Sequence, residues 1–335
     1  RPFASDPDEC AAPMTFKDLQ VYDAKDQLIT SQKIDEDMDG EIDLIIFQTD
    51  LDEREKQVFI LKPGKAPMVE SKTFCRFVPE REKDFAWEND RIAFRMYSRE
   101  LSEKEGVDSG IDVWTKRVDH LVIDKWYEGE DYHTDYGEGL DFYKVGPSRG
   151  CGGSAILMDG KLQPTGGYVD YEIITNGPIR SEFELQYAPY EINGKEYKES
   201  RRISIDAGWN LNKIKSTIDS ENSLPVAIGL KMQADPAKAV VNSGKGILSL
   251  WENVSDENGK LGQAVVINDH QDKGKKIIND HHLLITKFEK DNSVEYYAGA
   301  GWSKSSHFDN VEDWSNYVDN IAYRINHPVK IKIEK

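Results

Sequence analysis

Apolar and polar positions alternate through most of this chain in short runs: "LQVYD", "IDLIIFQ", "QVFILK", "RIAFRMY", "LVIDKWY", "YVDYEIIT", "SEFELQYA", "RRISID", "AIGLKM", "GILSLWENV", "AVVIN", "HLLITKFE" and "EYYAGAG". β-branched and aromatic residues fill them, and Gly, Asn and Asp separate them, which is strand composition with turn punctuation. The pattern predicts a mainly β, antiparallel protein, in which strands that are each apolar on one face pack as sheets. One segment breaks the rule. Val311, Trp314, Val318, Ile321 and Ile325 recur at helical spacing, and Asp309 with Glu312 reads as a capping-box variant, so a C-terminal helix is expected on the sandwich. Two prolines, a glycine and three lysines interrupt the strand pattern in "ILKPGKAPMVESK". This places a boundary near Pro67, between a small N-terminal β domain (1–67) and a larger β domain (68–335).

Charge narrows the partners. Among 335 residues, 61 acidic against 43 basic side chains leave a net charge of -18. That field repels phosphate backbones and anionic headgroups, so nucleic acid is not an expected partner. No apolar run of about 18 residues occurs, so no membrane-spanning helix is expected. The first residue is Arg1 rather than methionine, read here as an exported protein whose signal has been removed, with a periplasmic, cell-surface or extracellular location. Three cysteines, Cys10, Cys75 and Cys151, leave at least one unpaired and show no metal-ligand spacing.

Four stretches carry candidate chemistry. "KIDEDMDGEIDLIIF" sets Asp35, Asp37, Asp39 and Asp43 around Gly40, an oxygen-rich arrangement suited to calcium, or else simply an acidic hairpin turn. The twelfth-position glutamate of an EF-hand is missing. In "WENDRIAFRMY" an extended backbone puts Asn89, Arg91, Arg95 and Tyr97 on one face, the guanidinium groups about 13 Å apart along the strand. They could hold carboxylates or sulfates, or pair with neighbouring acids. "GIDVWTKRVDHLVIDKWYEGE" similarly aligns Trp114, Lys116 and His120; aromatic planes beside cations suit a sugar cleft, although tryptophan also serves as core.

The fourth stretch, "DYHTDYGEGLDFYKVGPSRGCGG", is too polar and glycine-rich for core. It offers His133 and Tyr136 as proton carriers on a loop. Arg149, among small residues, could form a bidentate contact with a planar anion, or pair internally with Glu138 or Asp141.

The blocks "FAWENDRIAFRMY", "GIDVWTKRVDHLVIDKWY", "YHTDYGEGLDFYKVGPSRGCGG", "YEIITNGPIRSEFELQY" and "GAGWSKSSHFDNVEDW" resemble a family of secreted bacterial proteins from polysaccharide-utilisation loci, long called a domain of unknown function. Within it the chain resembles the ulvan oligosaccharide dehydratase activity. The resemblance implies a galactose-mutarotase-like antiparallel β-supersandwich after a small β domain. It also implies an acidic oligosaccharide as partner, with water leaving across C4 and C5 of a non-reducing-end glucuronate to give a 4,5-unsaturated uronate. No cofactor is expected for catalysis, and calcium is expected only as a structural ion.

The residues' own chemistry suggests roles. Arg149, helped by Arg91 or Arg95, neutralises the sugar carboxylate; His133 removes the C5 proton; Tyr136 protonates the departing O4, with the two roles exchangeable or His120 serving instead. Asn89, Trp114, Lys116, Glu138 and Trp302 complete the expected substrate contacts. A polysaccharide lyase and a non-catalytic carbohydrate-binding protein are the alternatives.

Overall fold

The computed structural model describes residues 16–334 apart from 53, 130, 164, 221–223, 235–239 and 290; Cys10 lies outside the described residues. Near the N-terminus, the strand Leu19–Asp23 pairs with Leu28–Ile29 and Phe59–Pro63, and Ser31–Ile34 forms a hairpin with Leu44–Phe47. Gln32 ties this layer to the rest of the chain. Its buried amide donates to Thr175 Oγ1 and the Arg180 carbonyl, both at 2.8 Å, and accepts from the N–H groups of Ile179 and Arg180. Pro67 falls in the strand-free stretch 64–72.

An eight-stranded antiparallel sheet forms the backbone of the fold, in the order Tyr168–Asn176, Arg180–Tyr187, Glu199–Asp206, Leu211–Ile218, Ser293–Trp302, Gly259–Val266, Ile247–Ser255 and Val240–Asn242. Two five-stranded sheets cover one of its faces. The first runs Gly139–Leu140, Asp112–Lys116, Ile92–Met96, Asp84–Asn89, Thr73–Val78; the second runs Lys161–Leu162, Cys151–Met158, Pro225–Lys231, His281–Lys287, Gly274–Ile278. A bridge between Ile111 and Gly150 joins them into one layer. Period-two alternation explains the packing. Phe85, Trp87 and Phe94 of the first sheet and Ile228, Leu230 and Leu284 of the second share one continuous core with Phe183, Leu185, Leu248, Leu250 and Val265 of the large sheet. This is the mainly β, galactose-mutarotase-like supersandwich with a C-terminal helix that the sequence pattern and resemblance led us to expect.

On the other face of the large sheet, Ile247, Trp251, Ala264 and Val266 receive the C-terminal helix, Val311–Asn326, through Trp314, Val318 and Ile321. Gly262 lets the Trp314 indole lie against the backbone, since a β-carbon there would stand 2.6 Å from the ring. The cap of this helix is Asn310 rather than Asp309. The Asn310 side chain accepts from the N–H of Glu312 and of Asp313, and Asp313 accepts from the N–H of Asp309, the residue before the cap, so the cap falls one residue later than expected and is not a strict reciprocal box.

Two short helices depart from the sequence pattern. Arg99–Glu105 lies outside the expected elements; Ser98 caps it and Gly106 ends it in the left-handed region at φ 66°. "LVIDKWY" reads as a strand, but Ile123–Glu128 is helical. The buried Glu88 carboxylate accepts from the N–H groups of Val122 and Ile123, doing the work of an N-cap from another strand. Ile123 and Trp126, three apart on the helix, then both face the Trp114 side of the sheet. Cys75 and Cys151 are buried free thiols, and no described helix is long and apolar enough to cross a membrane.

Candidate active site

The outward face of the first five-stranded sheet carries Asp84 and Glu88, Ala93 and Arg95, and Asp112, Trp114 and Lys116, each alternate residue of its strand. It is roofed by Ile123–Glu128 and the loop that follows, so all of these side chains are buried. They sort into two charge clusters.

In the first, Lys116 Nζ meets Glu88 Oε2 at 2.7 Å and the Asn89 carbonyl at 2.7 Å, with both charged side chains fully shielded. Asn89 in turn donates to the carbonyls of Asp206 and Trp209 and accepts from the N–H groups of Arg91 and Ile92. Lys116 and Asn89 therefore hold the sheet together and present nothing to a substrate, contrary to the sequence expectation.

The second cluster surrounds Arg95. Its guanidinium contacts Asp112 Oδ2 at 2.6 Å, Tyr97 and Tyr132 hydroxyls at 3.1 Å, Asp141 Oδ2 at 3.4 Å and Asp84 Oδ2 at 3.6 Å. Asp112 stands directly opposite Arg95 in the strand register. One cation thus faces three buried carboxylates. Burial, with the Asp112 charge opposing ionisation and Arg95 favouring it, pushes the Asp84 carboxyl up to about 7; Asp141 is raised for the same first reason and by Asp112. An acid whose folded pKa is raised holds a proton that the unfolded chain has released, so stability falls as pH climbs through the window from 3.8 to about 7. Thermal melts should therefore show the stability difference between wild type and Asp84→Asn moving in favour of wild type as pH falls from about 7 to about 5, against the opposing contribution of His281, His282 and His307, whose pKa values desolvation lowers and which is common to both proteins. Parallel curves for the two proteins would contradict the assignment.

Above this cluster sits the loop that the sequence singled out. Tyr132 stacks on Trp114 at 4.7 Å, and His133 leans on Tyr132 at 4.6 Å while remaining well exposed. His133 Nδ1 lies 2.9 Å from the Asp141 carbonyl, which can only accept, so Nδ1 carries the proton and Nε2 is left as the free acceptor. The Asp141 carboxylate is 3.7 Å from the same Nδ1. Arg81, exposed, places its guanidinium 5.4 Å from the centre of the Tyr132 ring.

Farther along the same roof, Glu138 receives Lys125 at 2.7 Å, His120 at 2.9 Å and the Trp126 indole at 3.3 Å, and these bonds, Lys125 first, hold its carboxyl down to about 2. Trp126 also stacks on Trp114, so His120 and His133 flank one aromatic plate. Gly139 pins this segment to the sheet. It has φ 129°, and a β-carbon would fall 2.0 Å from the Thr115 carbonyl oxygen. Gly139→Ala should destabilise the protein by about 1–3 kcal/mol, visible as an earlier denaturant midpoint, because the strained conformation and the clash coincide.

Several residues expected here from the sequence are not brought to this place. Arg149 is buried on the other side of the layer, paired with Asp108 and bonded to Ser109, and crowded by Arg201. Burial, then the Arg201 charge, lowers its pKa to about 10. It shares no partner with His133 among the described residues and cannot reach a ligand there; nor does it pair with Glu138 or Asp141. Arg91 turns from Arg95 toward Asn210, at 3.4 Å, so the two arginines do not floor one groove. Trp114 and Trp302 are buried, the second donating to the Asn258 carbonyl at 2.6 Å and lying 4.9 Å under the Arg117 guanidinium, so neither offers a ring to a sugar. Tyr136 is 77% exposed, and no hydrogen bond or ring contact joins it to His133 or Arg149 among the described residues.

In the acidic hairpin loop, Asp35, Asp37 and Asp39 bring carboxylate oxygens within 4.8 Å of one another, a set that could hold a calcium ion. Asp43 lies outside this set of oxygens; its carboxylate accepts from the Glu36 N–H at 2.7 Å.

Sequence reading missed Asp84, Asp112, Arg81 and Lys125. The signal for the first two was present: Asp84 and Asp112 occupy the same alternating face as Arg95 and Trp114. Two surface cavities, one lined by residues including Leu157, Pro225 and Lys276 and another by residues including Arg99, Thr165 and Tyr190, contain none of the expected site residues.

A histidine thus stands over a buried carboxylate–arginine cluster, and comparison assigns the family. Residues 8–331 match the domain of unknown function DUF4861, and the chain belongs to that family. It is 34% identical over 344 residues to "Uncharacterized protein P7" of Formosa agariphila, covering 95% of this chain and 85% of that protein. Among solved structures, a protein in the glycosyl hydrolase family 38 from Enterococcus faecalis superposes with a TM-score of 0.52 at 9% identity over 92% of this chain. The chain spans 41% of that protein's length, and the likeness is one of fold. A 4-alpha-glucanotransferase from Thermococcus litoralis gives 0.36 at 10% identity, over 70% of this chain and 40% of that one.

Proposed function

We propose that this protein is a carbohydrate-active lyase of the dehydratase type. It removes water across C4 and C5 of a glucuronate at the non-reducing end of an ulvan-type oligosaccharide. The observation that carries this reading is His133: its Nδ1 proton is committed to the Asp141 carbonyl, so on a largely exposed ring Nε2 is the nitrogen left to act as a base with fixed tautomer. The polysaccharide-locus resemblance, together with a fold like that of a glycosyl hydrolase family 38 protein, supports reading the substrate as a carbohydrate.

Removing the C5 proton adds negative charge next to a carboxylate, so a cation must quench that charge first. Arg149 is sealed inside, and in this reading Arg81, exposed beside Tyr132, takes over the role. The pair that moves from the C5–H bond forms the C4–C5 double bond as the C4–O4 bond breaks, and O4 leaves as water after protonation by Tyr136 or His120. Asp141 acts as a positioning residue through the imidazole. The test is incubation of the protein with uronate-ended oligosaccharides, following the absorbance of the conjugated double bond together with product length and mass. Dehydration gives the chromophore with the loss of one water and unchanged length. A shortened chain would mean a polysaccharide lyase, and binding without product would mean a carbohydrate-binding protein.

A further inference from the structure

The second five-stranded sheet shows a different surface to solvent. Leu157, Pro225 and Ile285 floor a cavity of about 380 Å³ whose rim is set with Lys273, Lys275 and Lys276. Lys275 pairs with Asp272 at 2.5 Å, and Lys273 Nζ donates to the His270 carbonyl at 3.1 Å. Lys276 lies opposite Leu283 in the strand register, on the floor's own side of the sheet, and is exposed without a carboxylate partner among the described residues. Lys287, opposite Pro225, is likewise exposed and without one among them. Asp272 is already paired, so the cavity is locally positive on a chain whose net charge is -18. Aliphatic floor and cationic rim together match a ligand with an apolar face and an anionic substituent.

We propose that this cavity is a remote subsite for an acidic saccharide. The apolar face of a pyranose lies on Leu157, Pro225 and Ile285, and its sulfate or carboxylate meets Lys273 and Lys276. The ligand class rests on the function proposed above; the site does not share residues with it. Both five-stranded sheets pack their inner faces on the large sheet and are joined side by side, so their outer surfaces face the same way.

Titration calorimetry of the full chain with a chondroitin sulfate hexasaccharide, maltohexaose and sodium sulfate tests this. The sulfated hexasaccharide should bind roughly tenfold tighter than the neutral one, with an affinity that falls as salt rises. Lys273→Gln with Lys276→Gln should weaken it roughly fivefold and flatten the salt dependence, with melting temperature and turnover of a disaccharide substrate unchanged. His133→Ala should bind as wild type. Equal affinity in the lysine variant, equal affinity for maltohexaose, or binding of inorganic sulfate alone overturns the subsite. If wild type forms no product from any uronate oligosaccharide while the lysine variant still loses the hexasaccharide, the catalytic reading fails and the subsite stands.

Discussion

His133→Ala should lower turnover of a uronate-ended oligosaccharide by roughly 10²–10⁴-fold, the range a positioned proton-transfer group contributes, with little change in melting temperature. The fold should tolerate the change because the ring is largely exposed and its one strong bond is to a main-chain carbonyl. His133→Gln keeps a polar group of similar reach but cannot take a proton, so it should be as inactive as the alanine variant. The plot of kcat/KM against pH should lose its acidic limb in both. An alanine variant retaining near wild-type turnover would remove His133 from the mechanism and leave His120, held by Glu138 at 2.9 Å, as the histidine to test.

Arg95→Met should cost about 3–5 kcal/mol of stability, because it strips the cation from buried acids rather than removing an exposed pair. Asp84 and Asp141 can respond by holding protons, their pKa values being already raised by burial. Asp112, fully shielded and 2.6 Å from the guanidinium, is the charge left uncompensated. Combining Arg95→Met with Asp112→Asn should therefore recover part of the loss. Arg95→Lys should not, since a single ammonium cannot reach Asp112, Tyr97 and Tyr132 at once. Denaturant midpoints of the four proteins decide the matter; an Arg95→Met midpoint close to wild type would mean that the cluster is not sealed.

How far the sequence could be read depended on how local the determinants are. Strands such as Arg180–Tyr187 and Glu199–Asp206 carry their alternation within eight residues, and the C-terminal helix carries its apolar stripe in its own turns, so these were legible. Ile123–Glu128 was not, because six residues containing Ile123, Trp126 and Tyr127 suit a strand as well as a helix, and the deciding cap, Glu88, belongs to a distant strand. The same distance hid the fate of the charged candidates. Lys116 looks like a groove cation until Glu88 is seen beneath the same roof, and Arg149 looks like an anion clamp until Asp108 and Arg201 enclose it. The histidine loop was readable by composition alone, since its polarity and glycines exclude it from a core. Which cation accompanies His133 was not, because Arg81 comes from a 3₁₀ turn far earlier in the chain and meets the loop only through the Tyr132 ring.

In the proposed reaction everything follows from loss of the C5 hydrogen beside the sugar carboxylate. An oligosaccharide ending in C5-deuterated glucuronate, turned over by the wild-type protein and weighed by mass spectrometry, addresses that step. The expected result is an unsaturated product of unchanged length that has lost O4 as water and no longer carries the label. A product that keeps deuterium at C5 would contradict it.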